Sequence, residues 1–560
     1  MVPDINATHT VSGRFESKSR RRNGNRGEGR VGRFPCHATH EGAPVNRTRR
    51  RHTNRRNASR GGRIPQLPWK QFEYRLPPLE NLSADQLNTI HEATLDLLEH
   101  TGIEFMGQRA RQVFREAGAE VDEGTGNVRL DRGLVTACLD RTPGEFTLTP
   151  RNPRRRLHVG GHLGFSTLVA GPPSVHDCER GRRVGNFEDY CTLIKLAQSF
   201  EVIHAIGNQP TAPIELPAES RHLDTYLANI LYSDKVFHCS AIGAQRALDG
   251  IDMAAIARGL DRRELVDSPA LLTIISVNSP KRFDEAMSDG LMTMAEWGQP
   301  VVVTPFTLMG AMAPATVAAA LAQQNAEALA GICLAQIVRP GVPLIYGGFS
   351  SNVDMRTGSP AFGTPENAQA TIAGAQLARF YGLPFRASNS SASNTVDAQA
   401  AYESASSVWS AMLCHVNEIY HGAGWMEGGL TASFEKIVLD VELLQSISLA
   451  LCPPEISTDT LGIEAIRETP SGGHFFGHPH TLARYENAFY QPILSDWRNN
   501  EAWREAGALD ACQRATEIWR RALEDYEEPD IDPAVRERLE SFVARRKEAF
   551  RKPNGNEITN

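Results

Sequence analysis

Short apolar segments alternate with longer amphipathic segments between residues 163 and 425. The short segments have the length and β-branched content of buried strands. In the longer segments between them, apolar residues recur with the period of a helix. Eight strands separated by helices are typical of a closed parallel barrel, so the pattern predicts an α/β fold of the (β/α)8, TIM-barrel type. The predicted strands are Leu163–Ala170, Val202–Asn208, Lys235–Ile242, Leu271–Asn278, Pro300–Leu308, Pro343–Ser350, Leu383–Ser391 and Val416–Trp425.

An open, doubly wound sheet is the main alternative. Such a sheet usually carries a glycine-rich phosphate loop after its first strand. Here Gly160 and Gly161 come before the first predicted strand and indicate a turn. Ser279-Pro280, Thr364-Pro365 and Asp397 have the chemistry of helix starts, which supports strands followed by helices.

Helical patterns flank the barrel on both sides. Residues 65–160 contain a capping box at Ser83–Gln86 and a short strand pattern at Glu145–Thr149, so we predict an N-terminal helical cap. The predicted division of the chain is a disordered Arg/Gly-rich tail at 1–64, the cap at 65–160, the barrel at 161–430 and C-terminal helices at 431–560.

The charge is distributed unevenly along the chain. Residues 1–63 hold sixteen basic and four acidic residues, whereas the whole chain has a net charge of −7. A segment so rich in Arg, Gly and Asn cannot bury enough apolar surface to fold alone. It is either a disordered tail, or an over-long translation start, or a polyanion-binding segment. Its Arg runs lack interleaved aromatic residues and the remainder of the chain is acidic, and both features argue against a nucleic-acid partner.

Nine cysteines are scattered along the chain without a CxxC motif. This pattern predicts reduced thiols in a cytoplasmic protein rather than a disulfide framework or a zinc site. Cys333 and Cys414 lie in apolar helical patterns and are predicted to pack in the core. We expect no membrane span, because no run of about 18 apolar residues lacks charges, and no secretory signal, because the N-terminus has no apolar core.

Polar and aromatic residues recur where the predicted strands finish, which in a barrel is where the active site lies. Ionisable groups are few there, with His421 and Glu427 as the exceptions. Aromatic rings can hold a quaternary ammonium by cation–π attraction, and they can equally be barrel packing. The candidates among them are Phe306, Tyr346, Phe349, Tyr420 and Trp425.

A loop with three histidines follows the barrel. His474, His478 and His480 lie in a Gly- and Pro-rich segment, and two of them are separated by one residue, which allows a metal site. The alternative function is therefore a metal-dependent barrel hydrolase. However, no carboxylate or Cys lies beside these histidines, and we predict that they do not form a metal site. A non-catalytic binding protein that uses the basic tail is a third hypothesis.

Several short motifs resemble the trimethylamine methyltransferase family. They are Ile90–Thr94, Tyr381–Pro384, Asp397–Ala400, His421–Thr431, Leu439-Asp440 and Gly472–His474. The resemblance implies a (β/α) barrel that transfers a methyl group from a methylated amine to a separate corrinoid protein. The cobalamin would then be carried by that partner, and the chain has no Asp-x-His-x-x-Gly motif with which to carry it. A homo-oligomer is also possible.

The chain departs from the family pattern at one position. The archetype has pyrrolysine in a Ser-rich stretch, and the matching residue here is Ser390 or Ser391. Serine cannot act as that electrophile, so the chain resembles the non-pyrrolysine branch, some of whose members demethylate glycine betaine. A quaternary amine leaves as a neutral amine and needs no protonation, so catalysis would consist mostly of positioning and desolvation.

These considerations predict the site residues. We expect His421 and Glu427 to be catalytic, by orienting the substrate or stabilising its cation, and Arg386 to pair with a betaine carboxylate. Asp440 matches the family pattern and can equally be a structural helix residue. The other predicted substrate-binding residues are Tyr346, Phe306, Ser390, Ser391 and Trp425.

Overall fold

A computed structural model describes residues 64–551, so the predicted tail at 1–64 lies almost entirely outside the described residues. Eight strands pair in parallel, each with the next along the chain, and the last pairs with the first. The predicted closed barrel is confirmed, and the open sheet is excluded. The strands are β1 (Leu163–Leu168), β2 (Ala205–Ile206), β3 (Val236–Cys239), β4 (Leu272–Val277), β5 (Val301–Met309), β6 (Leu344–Gly347), β7 (Phe385–Ser388) and β8 (Glu418–Ala423).

One helix follows each barrel strand and covers its outer side. Thr364 and Asp397 cap the sixth and seventh helices as predicted, each accepting a hydrogen bond from a first-turn amide. Ser279-Pro280 does not open the fourth helix, because Asp284 is the residue that caps it. The helices are α1 (Phe187–Ser199), α2 (Arg221–Tyr232), α3 (Ala244–Arg258), α4 (Glu285–Glu296), α5 (Val317–Val338), α6 (Pro365–Phe380), α7 (Ala398–Leu413) and α8 (Phe434–Ala450).

The barrel therefore extends beyond the predicted boundary at residue 430. α8 completes the eighth strand–helix unit, whereas the sequence division placed it with the C-terminal helices.

Two long helices after the barrel pack on its outside. Ala511–Glu524 lies against α8, where Glu435 accepts hydrogen bonds from Thr516 and Trp519. Pro533–Arg551 reaches α2 and α3, where Arg546 pairs with the buried Asp249. Four short helices precede these two, namely Thr458–Leu461, Ile463–Glu468, Pro479–Leu482 and Asn500–Glu505.

The segment before the barrel combines helices with small sheets. Its helices are Ala84–Asp96, Gln108–Glu116 and Arg132–Arg141, and a sheet formed by Ile103–Phe105, Glu120–Asp122, Asn127–Arg129 and Arg282–Phe283 lies beside them. A hairpin of Phe146–Leu148 and Leu157–Val159 packs its apolar side chains against Phe165, Val236 and Val302 inside the barrel. This hairpin contacts the barrel residues at the N-terminal ends of the strands, so that end is covered and the C-terminal end carries the loops.

Those loops add further strands at the C-terminal end. After β1, a hairpin of Ser174–Asp177 and Gly181–Val184 joins Trp425–Met426 and Thr431–Ser433, which follow β8, in a four-stranded sheet. After β6, Phe349–Val353 pairs with both β5 and Pro360–Ala361. These two additions build the wall of the barrel mouth.

The prediction of reduced thiols is wrong for one pair of cysteines. Cys178, in the turn of the hairpin after β1, forms a disulfide with Cys512 on the helix Ala511–Glu524. The two residues are 334 positions apart, so their spacing along the sequence carries no sign of the pairing. Cys333 and Cys414 are buried free thiols in the core, as predicted.

Within residues 64–551, no helix is both long enough and apolar enough to cross a lipid bilayer.

His204, just before β2, makes the stability of the fold pH-dependent. It is fully buried, with Nδ1 accepting from the Ser166 amide and Nε2 donating to the Lys70 carbonyl, and burial lowers its pKa to about 3. The unfolded chain therefore binds a proton near pH 6.5 that the folded chain does not bind. Stability from this group is present above pH 6.5 and is lost as the pH falls toward 3.

We predict that urea denaturation will show about 2 kcal/mol of stability lost from His204 between pH 7 and pH 5. His204→Gln, which keeps an acceptor and a donor but cannot titrate, should lose correspondingly less over the same interval. Equal pH dependence in the two proteins would contradict a neutral buried His204.

Candidate functional site

Four aromatic rings meet at the mouth of the barrel. Phe306 near the end of β5, Phe349 after β6, Phe362 before α6 and Trp425 after β8 are close neighbours. Ring centroids are 5.0 Å apart for Phe306–Phe349, 5.5 Å for Phe349–Phe362, 5.0 Å for Phe362–Trp425 and 6.0 Å for Phe349–Trp425. The structure thus brings the predicted residues Phe306 and Trp425 together and adds Phe362, which the sequence analysis missed. We call these four rings the aromatic cluster.

His421 joins this cluster through an irregularity in β8. The register of β8 against β1 shifts between Ile419 and Ala423, and His421 adopts a left-handed backbone conformation with φ of 56°. Such a bulge redirects a side chain next to a site. The imidazole stacks on Trp425 with centroids 5.2 Å apart and lies 5.8 Å from Phe349. The strand pattern alone could not show this turn.

The electrostatic surroundings keep His421 neutral. Burial, the Arg386 charge and His238 together hold the pKa of His421 well below its ordinary value. Its Nδ1 is buried and has no hydrogen-bond partner within residues 64–551. A neutral imidazole with an unpaired ring nitrogen can contact a ligand, but it does not supply a proton at neutral pH.

Arg386 lies on β7 beneath the rings. Its guanidinium carbon is 5.3 Å from the Phe349 centroid and 4.7 Å from the Tyr420 centroid, and Nη1 donates weakly to the Gly348 carbonyl at 3.4 Å. Burial lowers the pKa of Arg386 to about 10, so the group stays charged at neutral pH. In the described part of the chain its Nε has no acceptor, and a buried cation with unused donors suits an anionic ligand group.

A carboxylate and a histidine form the floor of the barrel lumen. Glu418 on β8 accepts a hydrogen bond from Thr167 at 2.9 Å and lies 2.9 Å from His238 Nε2 on β3. Glu418 and His238 are both fully buried, and Glu418 Oε2 has no partner among residues 64–551. The sequence analysis missed both residues, although an ionisable residue inside an apolar strand pattern is a usable signal.

Tyr420 connects this floor with the aromatic cluster. Its hydroxyl donates to Asn208 at 3.1 Å, and its ring lies 4.5 Å from His421 and 5.1 Å from His238. Asn208 therefore reaches the lumen from the end of β2, as the polar strand ends suggested. The mouth is thus lined in layers, with Glu418 and His238 deepest, then Arg386 and Tyr420, and the aromatic rings outermost.

The hydroxyls of the two predicted serines form hydrogen bonds that hold the loop after β7. Ser391 Oγ donates to Glu403 on α7 at 2.7 Å, and the amides of Ala392 and Ser393 donate to the same carboxylate. Ser390 Oγ donates weakly to Asn367 at 3.4 Å. These contacts fix the backbone of the Ser-rich stretch, and neither hydroxyl resembles a reactive electrophile.

Glu427 lies at the edge of the mouth rather than in it. Its carboxylate accepts from Arg182 Nε at 2.6 Å and from Thr431, and its backbone amide donates to Ser393. The carboxylate thereby ties the hairpin after β1 to the loop after β8. The contacts are those of a residue that holds two loops together, and the predicted catalytic role for Glu427 finds no support in them.

Tyr346 lies on the other side of the barrel wall. Its hydroxyl is 3.4 Å from Gln324 on α5, and its ring packs against Phe385 at 5.8 Å and Tyr381 at 6.5 Å. These contacts give the predicted substrate-binding role no support. Side chains alternate between the two faces of a strand, and the position of Tyr346 near the end of β6 did not reveal which face it takes.

Asp440, for which the sequence left both a site role and a structural role open, anchors the backbone at Gly424, between His421 on β8 and Trp425. Its Oδ2 accepts the Gly424 amide at 2.8 Å, and its Oδ1 bonds Lys436 one turn earlier on α8. Lys436 also donates to Ser404 at 2.7 Å, and both charged residues are fully buried. The role that the contacts support is structural.

The three histidines after the barrel have separate partners. His478 pairs with Glu468 at 3.0 Å, and His480 Nε2 lies 3.1 Å from the Asp459 carbonyl. The His474 ring lies 5.6 Å from the ring of Phe476. In the described chain no three or more His, Cys, Asp or Glu side chains are grouped as a metal site would require. These contacts give the hydrolase alternative no geometric support.

The fold and the site together define a TIM-barrel enzyme whose aromatic and cationic binding groups converge at the C-terminal mouth. A sequence model of the family described as trimethylamine methyltransferase (MTTB) matches residues 47–551. The chain belongs to this family and is a methyltransferase.

Similarity to named methyltransferases supports that membership. The chain is 38% identical over 472 residues to the glycine betaine methyltransferase of Desulfitobacterium hafniense strain Y51, covering 84% of this chain and 98% of that one. It is 28% identical to a trimethylamine methyltransferase of Desulfitobacterium hafniense strain DCB-2 over 83% of this chain and 93% of that one. It is also 28% identical to a trimethylamine methyltransferase of Methanosarcina mazei, over 84% of this chain and 96% of that one.

Among solved structures, the monomethylamine methyltransferase of Methanosarcina barkeri aligns with a TM-score of 0.41 and 10% identity. The alignment covers 81% of this chain and 90% of that one. The fold assignment depends on the strand pairing described above.

We predict that Asp440→Asn will lower the free energy of unfolding by about 3–5 kcal/mol, because it leaves the buried Lys436 charge uncompensated. Urea denaturation measures the loss. Asp459→Asn, which removes an exposed carboxylate paired with Arg484, is the matched control and should cost far less. Equal losses in the two variants would rule out the anchoring role.

Proposed function

We propose that this methyltransferase removes a methyl group from a carboxylate-bearing quaternary amine of the glycine betaine type. The methyl group would pass to the cobalt of a corrinoid held by a separate protein. The observation that carries the proposal is the pairing of an aromatic cluster with a buried Arg386 whose Nε lacks an acceptor within residues 64–551.

The two ends of such a zwitterion match the two parts of the site. Phe349 and Trp425 would supply rings to a trimethylammonium site, for which each cation–π contact contributes about 0.5–2 kcal/mol. Arg386 lies 5.3 Å from the Phe349 ring, so one small molecule could contact both the ring and the guanidinium. The glycine betaine named for the 38% identical relative has this chemistry.

The proposed reaction also accounts for the scarcity of acids in the mouth. The carbon–nitrogen bond breaks with its electron pair remaining on nitrogen, so a quaternary substrate leaves as a neutral tertiary amine and takes no proton. A neutral His421 is compatible with this step, whereas trimethylamine would first need activation. Serines at positions 390 and 391, both bound in loop contacts, leave no electrophile for that activation.

The methyl acceptor is part of the proposal. A corrinoid in its Co(I) state would supply the nucleophile, and this chain's residues would hold the N-methyl carbon toward the open mouth and exclude water. The N-terminal hairpin covers the opposite end of the barrel, which leaves the C-terminal mouth as the approach for a partner. A cytoplasmic location belongs to the same proposal, because a Co(I) acceptor requires reducing conditions, under which the Cys178–Cys512 pair would be reduced.

We predict that the purified protein, given a reduced corrinoid carrier protein, will methylate cobalt with glycine betaine as donor and not with trimethylamine. Absorbance spectroscopy of the corrinoid follows the reaction, and carnitine tests whether a longer zwitterion is accepted. Failure with every methylated amine would count against the proposed reaction, and a preference for trimethylamine against the proposed substrate.

We predict that Arg386→Gln will weaken glycine betaine binding by roughly 10–100-fold, because a charge-assisted hydrogen bond contributes about 1.5–3 kcal/mol. Binding of choline, a quaternary amine without a carboxylate, should change little. Calorimetry measures both ligands, and Arg386→Lys, which retains the charge without the planar donors, should be intermediate. An equal loss for both ligands would show that Arg386 supports the site without contacting a carboxylate.

A further inference from the structure

The segment between α8 and the helix Ala511–Glu524 has almost no core. We call residues 452–493 the arm. It contains three short helices, Thr458–Leu461, Ile463–Glu468 and Pro479–Leu482, and Ala465 is its single buried residue. A segment of this length that forms helices normally gains its stability from burying one face of them. The apolar face of the arm has no such cover within residues 64–551.

The arm exposes large apolar side chains in unusual number. They include Phe476 and Phe489, which are 82% and 78% exposed. The others are Ile456, Leu461, Ile463, Ile466, Phe475, Leu482 and Tyr485. Since a large side chain offers about 150–250 Å², these exposures amount to roughly 1,000 Å² of apolar surface. The largest apolar patch on a monomeric protein is typically about 300–600 Å².

Internal contacts hold the arm in a defined shape. Ser457 and Thr460 form a capping box, and Asp459 holds His480 through its carbonyl and Arg484 through its carboxylate. Where the arm ends, Glu442 on α8 accepts from the Tyr490 hydroxyl and the Ile493 amide. The arm is therefore a shaped surface fixed to the barrel, and a partner would meet ordered side chains.

We propose that the arm is the interface through which two copies of this chain associate. The exposed apolar area is close to the roughly 800 Å² per partner of a stable complex. A corrinoid protein has to leave after each methyl transfer, so it would uncover this surface in every cycle. A second copy covers it permanently, and a two-fold axis lets each arm cover the other.

The N-terminal residues of the same chain are a poor alternative cover. Residues 1–63 carry sixteen basic residues and few aliphatic ones, so they offer little apolar surface to match the arm. The exposed surface itself is described from residues outside the barrel mouth, whereas the exclusion of a corrinoid protein as its permanent cover rests on the proposed function.

Sedimentation velocity of the full chain over a concentration series tests the proposal. We expect the wild type to sediment as a dimer, or as a closed oligomer built from dimers. Phe476→Glu combined with Phe489→Glu should weaken association by at least about 30-fold, as expected when interface hot spots are lost. The control is Tyr402→Glu on α7, outside the arm, where the side chain is also largely exposed at 62%, and it should leave association unchanged.

Hydrogen exchange of the wild type is the second measurement, since it does not depend on a variant that folds. Arm amides should be protected at concentrations where the dimer forms and should lose protection on dilution. A wild type that is monomeric at micromolar concentration would overturn the proposal, as would an oligomer that survives the double substitution. Arm protection that appears only when a corrinoid carrier protein is added would assign the surface to that partner instead.

Discussion

The pairing of β8 with β1 is the constraint on which the rest of the structure depends. It closes the sheet, so the C-terminal ends of all eight strands face one opening. The same pairing contains the register shift that turns His421 toward Trp425. One irregular strand pair therefore completes the scaffold and shapes the wall of the site. Asp440 holds the loop after this strand through the Gly424 amide, so α8 keeps the irregular geometry in place.

The charged groups of the barrel lie at different depths in its lumen. Glu418 and His238 lie at the floor, Arg386 lies above them, and the aromatic rings separate the guanidinium from solvent. A cation buried without an anion is costly, and Glu418 favours the charged form of Arg386 from below. In this arrangement the guanidinium Nε has no hydrogen-bond acceptor within residues 64–551. The site therefore suits a substrate that carries both a carboxylate and a cation.

Two groups of residues outside the mouth contrast with each other. One group joins the loops around the mouth, and the other is the exposed apolar side chains of the arm. Glu403 and Glu427 each collect donors from neighbouring segments and thereby join the loops after β1, β7 and β8. Their carboxylates are engaged in structure, which explains why few free acids remain for chemistry. The arm differs, because its large apolar side chains are exposed and no other part of residues 64–551 covers them.

The sequence by itself determined the barrel, the family and most of the aromatic and cationic candidates. Strand and helix periodicities depend on local composition, and periodicity locates the strands on which, or just after which, the candidates lie. These candidates are Phe306, Arg386, His421 and Trp425. The tertiary structure alone decided which of the candidates share the lumen. Tyr346 faces the helices and Glu427 faces Arg182, while Glu418 and His238 meet across the barrel, because strand facing and cross-barrel distances arise only when the sheet closes.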